Sequence, residues 1–329
     1  MQERCCEFMK EMVYWLALQQ KYWLIPAEKI AQGIEELGSI ERLWKTNESY
    51  LLKLGLSNSA VKRFVEYRNN VNIDIFEKQL DELYQKKMRL VRYTDKEYPP
   101  ILKSIGLHAP RILFHRGMLL DFSSCIAIGG NRNCSEHGRR VAYDISRKLA
   151  DNGYTVVSGL AVGIDTEAHK GALEAGGKTI AVLAWMDPIY PPENLSLSRK
   201  IEEHGAILSE CYRKPNANLK WRFVERNKIV SGIAECVVII ETSEKGGTAQ
   251  LARRALSQRK RVFVLEPKED NEQALKGYKF FLGKGATSIK SCEELLGIFR
   301  NETQSKLKKR KSESHQSSLI AFGKSSTPR

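Results

Sequence analysis

The sequence predicts a doubly wound α/β domain, with a parallel sheet between two helical layers, preceded by a small helical module. After residue 124, short apolar runs alternate with amphipathic segments, whereas before residue 90 apolar residues recur every three or four positions. We expect four regions, namely a helical module at 1–90, a linker at 91–123, the α/β domain at 124–300 and a disordered basic tail at 301–329.

The helical module is indicated by apolar spacing between residues 8 and 88. Stretches such as Met12–Leu16 and Val61–Val65 place apolar side chains on one face of a helix. The expected breaks between several short helices are Gly33, Gly38, Ser39 and Gly55. The following stretch, 92–117, contains proline and lacks a regular period, so we interpret it as an irregular linker.

The α/β domain is indicated by repeated strand–loop–helix units. The predicted strands are Cys125–Gly129, Thr155–Ser158, Thr179–Ala184, Ala206–Ser209, Cys236–Glu241 and Arg261–Leu265. The predicted helices are 135–152, 165–175 and 194–204. Strands that are apolar without interruption are typical of a parallel sheet buried on both faces, and Gly153 and Gly176 supply the expected helix ends.

The charge balance favours a polyanionic partner. The chain has 53 Lys and Arg against 39 Asp and Glu, a net charge of +14 and a pI of about 9.4. Such a balance is typical of proteins that bind nucleic acid or an anionic surface, although a solvated surface alone can produce it. Residues 301–329 are rich in Lys, Ser and Gln, which predicts disorder.

The location and redox class follow from what the sequence lacks. No apolar run reaches the roughly 18 residues that span a bilayer, and the charged segment Met1–Lys10 lacks the apolar region of a signal peptide. We therefore predict a cytoplasmic protein without a membrane partner. The seven cysteines form no CxxC pair, which predicts reduced thiols and neither disulfide framework nor metal site.

Three segments of the α/β domain carry residues suited to binding, and the first follows strand Cys125–Gly129. Gly129 and Gly130 allow an anion to approach the backbone, Arg132 offers a guanidinium fork, and a helix begins at Ser135. The segment fits neither the GxGxxG nor the GxxxxGK[ST] pattern. An anion site is the preferred interpretation; the alternative is a tight turn with a solvated arginine.

The second segment begins at Ser158 and Gly159 and continues to Asp165, with His169 one helical turn later. One interpretation is a catalytic acid–base pair. The other, which we prefer, is that Asp165 caps the helix and binds a structural His169. This interpretation leaves the site without catalytic residues.

The third segment contains Phe223, Arg226, Asn227 and Lys228. Cations beside an aromatic ring suit single-stranded nucleic acid, because phosphates need positive charge and bases need a stacking face. The alternative is an amphipathic helix with Phe223 in the core and solvated charges, and the segment alone does not decide between them.

Together these segments resemble the DNA-processing protein A (DprA/Smf) family over roughly residues 12–290. The matching stretches are Ile126–Arg132, Ser158–Asp165 with His169, Thr179–Val182, Tyr190-Pro191, Leu208–Glu210 and Phe223–Gly232. The resemblance implies an extended Rossmann domain preceded by a SAM-like helical domain. It also implies a non-enzymatic protein without cofactors that binds single-stranded DNA, forms a homodimer and loads a RecA-type recombinase onto that DNA.

The resemblance also assigns residues to the DNA site. The expected phosphate contacts are Gly129, Gly130, Arg132, Ser135, Ser158, Gly159, Arg226, Asn227 and Lys228, with Phe223 as the base-stacking residue. The sequence departs from the family pattern at Asn131, where serine is usual, and at Lys245–Ala249, where the family segment is longer.

Two enzyme classes with related folds are the alternatives. Nucleotide phosphoribohydrolases of the LOG type carry a PGGxGTxxE motif, whereas this chain has Gly246, Gly247 and Thr248 without the proline or the glutamate. Nicotinamide-dependent dehydrogenases need the GxGxxG pattern, which is absent. Both observations favour the DNA-binding interpretation.

The tail carries one further short pattern. Gln316, Leu319 and Phe322 are spaced by three, so a 3₁₀ turn would place them on one face. This spacing resembles the motif by which replication and repair proteins bind a sliding clamp, although Gly323 stands where a bulky residue is usual. The alternative is a chance apolar patch in a solubilising tail.

Overall fold

The structure is a computed structural model that describes residues 2–21, 24–118, 122–217, 219–268 and 271–301. The tail residues Gln316, Leu319 and Phe322 lie outside the described residues, so the clamp motif stays a prediction. Within the described residues, nine strands form one mostly parallel sheet flanked by helices, which confirms the predicted fold class.

The N-terminal part is helical, as predicted. Its helices are α1 (Gln2–Gln20), α2 (Ala27–Leu37), α3 (Ile40–Lys45), α4 (Glu48–Lys53), α5 (Asn58–Asn70) and α6 (Asp74–Gln85). Gly38 ends α2 in the left-handed region, as a C-terminal glycine should. Gly33, however, lies inside α2 and does not break it; a methyl group there would come within 2.6 Å of Leu43, so this glycine permits close packing of α2 on α3.

The sheet has the order β1-β2-β6-β5-β4-β3-β7-β8-β9. Its strands are β1 (Arg89–Arg92), β2 (Ile112–Gly117), β3 (Cys125–Gly129), β4 (Thr155–Ser158), β5 (Thr179–Leu183), β6 (Ala206–Ser209), β7 (Cys236–Ile239), β8 (Arg261–Leu265) and β9 (Thr287–Ile289). Strands β3 to β9 pair in parallel. The strand order reverses between β4-β3 and β3-β7, which creates the crevice where ligands bind in such sheets.

Helices cover both faces of the sheet. They are α7 (Pro100–Lys103), α8 (Glu136–Asp151), α9 (Ile164–Glu174), α10 (Leu195–His204), α11 (Leu219–Ile233), α12 (Gly247–Ser257) and α13 (Glu272–Leu282). Helices α8 and α9 pack together on one face, and α11 and α12 on the other. None of the helices in the described part of the chain combines the length and apolar character needed to cross a membrane.

The stretch that the sequence suggested to be an irregular linker contains strand β2, and strand β1 begins just before it. Strands β1 and β2 pair antiparallel, and β2 continues the sheet antiparallel to β6, with Phe114 opposite Ser209. Tyr98, in the connection between them, is buried and donates its hydroxyl to the Pro110 carbonyl at 2.8 Å. The proline-containing segment is therefore an integral edge of the sheet.

The helical module and the sheet share one apolar core. Trp15, Leu16 and Phe64 of the module belong to the same buried cluster as Phe114 and Leu183 of the sheet. Each such fully buried side chain contributes about 1.5–3 kcal/mol relative to exposure. The buried Arg111 adds a polar link by donating to the Ile25 carbonyl and, at 3.3 Å, to the Leu18 carbonyl. This packing fixes the module against the sheet.

Candidate nucleic-acid interface

An open cavity of about 860 Å³, here called the strand-end cavity, lies at the carboxyl ends of the central strands. It is bounded by the loops after β3 and β4 and by the first turns of α11 and α12. Among the described residues that line it, four are basic, namely Arg132, Lys214, Lys220 and Arg226, and only Asp165 is acidic. The cavity therefore favours an anionic ligand.

The loop after β3 forms one wall of the strand-end cavity. Gly129 and Gly130 line it, and a methyl group on Gly130 would overlap Ile164 at the start of α9. Arg132 is exposed, and its guanidinium carbon lies 5.3 Å from the centre of the Phe223 ring. This stacked cation has no ion pair with any residue that the structure describes, so it remains available for a phosphate.

Ser135 has a structural partner in place of the predicted phosphate contact. Its hydroxyl accepts from the Gly138 amide at 2.9 Å as the N-cap of α8, and it also donates to Glu241. The Ser135 amide donates to the same carboxylate at 3.0 Å. Since Glu241 occupies both groups, Ser135 is a helix cap beside the cavity and not one of its lining residues.

The loop after β4 forms the cavity floor. Ser158 is buried and donates its hydroxyl to the Ile128 carbonyl at 2.7 Å, which ties this loop to β3. A methyl group on Gly159 would overlap the guanidinium of Arg226, so glycine leaves that cation its place. The next residue, Leu160, is fully buried with φ 61°, a strained conformation of the kind found at binding sites.

Asp165 does not have the predicted capping role, and its carboxylate interacts electrostatically with Arg226. Helix α9 begins at Ile164 with Gly163 as its N-cap, so Asp165 lies within the first turn. Its carboxylate accepts from the Ala161 amide at 3.3 Å. Burial raises the pKa of Asp165, whereas the positive charge of Arg226 and the hydrogen bonds to its carboxylate oppose that rise. The acid therefore balances a partly buried arginine in the strand-end cavity.

His169 is structural, as preferred from the sequence, but it does not bind Asp165. Its Nδ1 lies 2.7 Å from the Thr179 hydroxyl, which itself donates to the Val156 carbonyl at 2.8 Å. Burial, assisted by the charge of Arg226, lowers the pKa of His169 to about 3. The ring is fully buried and neutral in the folded protein, and it does not line the strand-end cavity.

Because the folded state holds His169 neutral, protonation of this ring should favour unfolding. In the unfolded chain a histidine titrates near 6.5, so the stability that its neutrality provides is present above that pH and is lost as the pH falls toward 3. We expect His169→Gln to flatten the acid side of the stability profile by at most about 1.4 kcal/mol per pH unit. Urea unfolding of both proteins between pH 7 and 4 measures this slope. Asp165, whose pKa is raised by burial, is present in both proteins, so its contribution cancels in the comparison. Parallel profiles would show that His169 is not buried and neutral.

The third segment lies within α11, where Phe223 joins an aromatic cluster. The Phe223 ring centre lies 5.2 Å from that of Trp185 and 5.6 Å from that of Tyr190. All three residues line the strand-end cavity, and Tyr190 is 42% exposed. Trp185 is buried, so Tyr190 and Phe223 are the rings of this cluster that offer a face to an unpaired base. Trp185 and Tyr190 were not assigned to the site from sequence, although Tyr190-Pro191 was among the matching stretches.

The helical period separates the cations of α11. Arg226 and Asn227 follow Phe223 by three and four residues, so all three face the strand-end cavity, and Asn227 donates to the Gly247 carbonyl at 3.1 Å. Lys228 lies on another side of the helix. It is 3% exposed, and its ammonium group lies 2.8 Å from Glu210 and 3.6 Å from Glu225.

Lys228 is thus corrected from a DNA contact to the centre of a buried ion-pair network. Glu225 extends that network to Arg254 at 3.0 Å. The exposed cations that the sequence reasoning missed are Lys214 and Lys220, which line the strand-end cavity. In the described part of the chain, no three His, Cys, Asp or Glu side chains are grouped as metal ligands would be.

Comparison with known proteins agrees with this geometry. The family model "DNA recombination-mediator protein A" matches residues 89–300. The chain belongs to this DprA/Smf family. Protein Smf of Synechocystis sp. is 34% identical over 295 residues, covering 87% of this chain and 72% of the cyanobacterial protein. The family acts in DNA processing and recombination.

Two solved DprA structures share the fold. The DNA processing protein A of Streptococcus pneumoniae superposes with a TM-score of 0.70 at 27% identity, covering 86% of this chain and 97% of that one. The Helicobacter pylori DprA, whose structure was described for its single-stranded DNA binding mode, superposes with a TM-score of 0.56 at 28% identity over 66% of this chain and 97% of that one. The predicted DprA/Smf resemblance is confirmed.

Proposed function

We propose that the protein binds single-stranded DNA in the strand-end cavity, without catalysing a reaction on it. The observation that carries the proposal is the combination of Arg132, Lys214, Lys220 and Arg226 with the aromatic cluster of Trp185, Tyr190 and Phe223 in one cavity. Phosphates need the cations and the close approach that the glycine loops allow, whereas unpaired bases need the rings. The single-stranded DNA binding of the H. pylori relative supports the same assignment.

The cavity geometry favours an unpaired strand over a duplex. Paired bases are stacked on each other inside a double helix, and bringing one onto Phe223 or Tyr190 would require it to be unstacked at a cost of a few kcal/mol. The lining residues contain one carboxyl group, that of Asp165, which Arg226 balances. Glycosidic-bond hydrolysis of the common type uses two carboxyl groups, so the site favours binding over the phosphoribohydrolase alternative.

The experiment that tests the proposal compares single-stranded and duplex oligonucleotides of one sequence across a salt series. We expect tighter binding of the single strand, with a log–log salt slope of about −2 if each of the three cations that Asp165 does not balance neutralises one phosphate. Equal or tighter binding of the duplex would reject the proposal. Release of a free base from a nucleoside monophosphate, followed by chromatography, would instead establish an enzyme.

The finer steps of the function are proposed from the family resemblance. We propose that the protein acts as a homodimer and loads a RecA-type recombinase onto single-stranded DNA. Sedimentation analysis tests the dimer, and recombinase filament assembly on single-stranded DNA with and without the protein tests the loading. The cytoplasmic location and the clamp-binding role of Gln316, Leu319 and Phe322 stay predictions.

A further inference from the structure

A second cleft, here called the junction cleft, adjoins the strand-end cavity between the helical module and the sheet. It measures about 520 Å³ and is lined by α1, α6 and the chain between β6 and α11. Lys214 lines both the strand-end cavity and the junction cleft. Gln20 and Ile75 in turn line both the junction cleft and a groove of about 690 Å³ on the helical module. The three depressions therefore adjoin one another in series through shared lining residues.

The junction cleft is predominantly basic. Its described lining residues include the cations Lys78, Arg213, Lys214 and Arg222 and the acids Glu82 and Glu210. Both acids are already neutralised, because Glu82 lies 2.5 Å from Arg213 and Glu210 lies 2.8 Å from Lys228. Lys78 and Lys214 are exposed and form no ion pair with a described residue. The uncompensated charge at this cleft is positive.

The start of α11 connects the strand-end cavity with the junction cleft. Lys220 lines the strand-end cavity, Arg222 lines the junction cleft, and Trp221 stands between them in the chain with 40% of its surface exposed. The Arg222 guanidinium lies 5.1 Å from the Trp221 ring centre. Alternating cations and an exposed aromatic ring are suited to successive phosphates and bases of one strand.

We propose that single-stranded DNA leaving the strand-end cavity passes Lys214, enters the junction cleft and continues toward the helical groove beside Lys21. The inference rests on the proposed function and extends it, because it makes the helical module part of the DNA path. The continuity of the three depressions identifies the occupant as a polymer, since a mononucleotide would fill one depression only. Lys21, Arg63 and Lys78 are cations that the module contributes to this path, of which the two lysines are tested below.

The test measures binding of two oligothymidines of about 6 and about 20 nucleotides, the first within and the second beyond the roughly 4–16 nucleotides that one OB fold occupies. The full-length double variant Lys21→Ala/Lys78→Ala is compared with Lys178→Ala/Lys200→Ala, whose lysines are exposed and line none of the three depressions. We expect the first variant to bind the long oligonucleotide about fivefold more weakly and to reduce the magnitude of the salt slope by about 1.4. Binding of the short oligonucleotide should not change, and the control should resemble the unaltered protein.

The outcomes separate this inference from the proposed function. If the unaltered protein binds both lengths and Lys21→Ala/Lys78→Ala binds the long one as tightly as the control, the DNA path does not cross the module. Equal weakening for both lengths would likewise overturn the inference, since the short strand should occupy the strand-end cavity alone. If the unaltered protein binds neither length, the proposed function itself fails. The charge-reversing substitution Lys78→Glu should weaken binding of the long oligonucleotide more than the neutral substitution Lys78→Ala does. It should leave the thermal midpoint unchanged.

Discussion

Replacing Lys228 by alanine should lower the free energy of unfolding by about 3–5 kcal/mol, because it leaves Glu210 buried without its partner. The side chains of Lys228 and Glu210 are 4% and 10% exposed, and their charged atoms are 2.8 Å apart. Urea unfolding at pH 7 measures the loss. The expected effect is on stability and not on the DNA contact that the sequence suggested for this lysine.

The matched control removes both charges of the Lys228–Glu210 pair at once and leaves Glu225 paired with Arg254. In Lys228→Met/Glu210→Leu no buried charge is left alone, so the double variant should be more stable than Lys228→Ala. If Lys228→Ala instead unfolds like the unaltered protein and loses DNA binding, then the lysine faces the ligand and the α11 geometry described above is wrong.

Replacing Arg132 by alanine should weaken single-stranded DNA binding about tenfold or more. A charge-assisted hydrogen bond contributes about 1.5–3 kcal/mol, and the guanidinium of Arg132 is exposed, stacked on Phe223 and unpaired among the described residues. Fluorescence anisotropy with a labelled oligonucleotide measures the loss. The thermal midpoint should not change, since the folded core does not use this side chain.

Arg147→Ala is the control for Arg132→Ala. Arg147 is also exposed, lies on α8, has no ion pair within the described part of the chain and lines none of the three depressions. The Arg147→Ala substitution removes one positive charge, as Arg132→Ala does, but leaves the strand-end cavity unchanged. Equal weakening in both variants would mean that net charge, and not the strand-end cavity, determines binding. A collapse of stability in Arg132→Ala would make Arg132 a structural residue.

The central strands could be predicted closely from the sequence. The predicted limits of Cys125–Gly129, Thr155–Ser158, Ala206–Ser209 and Arg261–Leu265 coincide with β3, β4, β6 and β8. These strands are buried on both faces, so almost every position must be apolar and the run stands out. Strand β1 escaped prediction because it is a short edge strand, Arg89–Arg92, whose two arginines interrupt the apolar pattern.

The site residues that could be predicted from the sequence are those whose role depends on one local segment of the chain. The glycine loop and Arg132 follow directly from a strand–loop–helix pattern, and the structure places them at the strand-end cavity. Lys228 and Ser135 were misassigned because their partners, Glu210 and Glu241, lie 18 and 106 residues away in the chain. A charge pattern in sequence does not show which cation is neutralised by such a distant carboxylate.

The most direct test of where DNA binds is photo-crosslinking with a single-stranded oligonucleotide that carries 5-iodo-deoxyuridine, followed by mass spectrometry of the adducts. Short-wavelength irradiation of this base attaches it to aromatic side chains within contact distance. We predict adducts on Tyr190 or Phe223, the accessible rings of the strand-end cavity, and their loss in Arg132→Ala. Adducts confined to residues outside the strand-end cavity and the junction cleft, and unaffected by Arg132→Ala, would contradict the account.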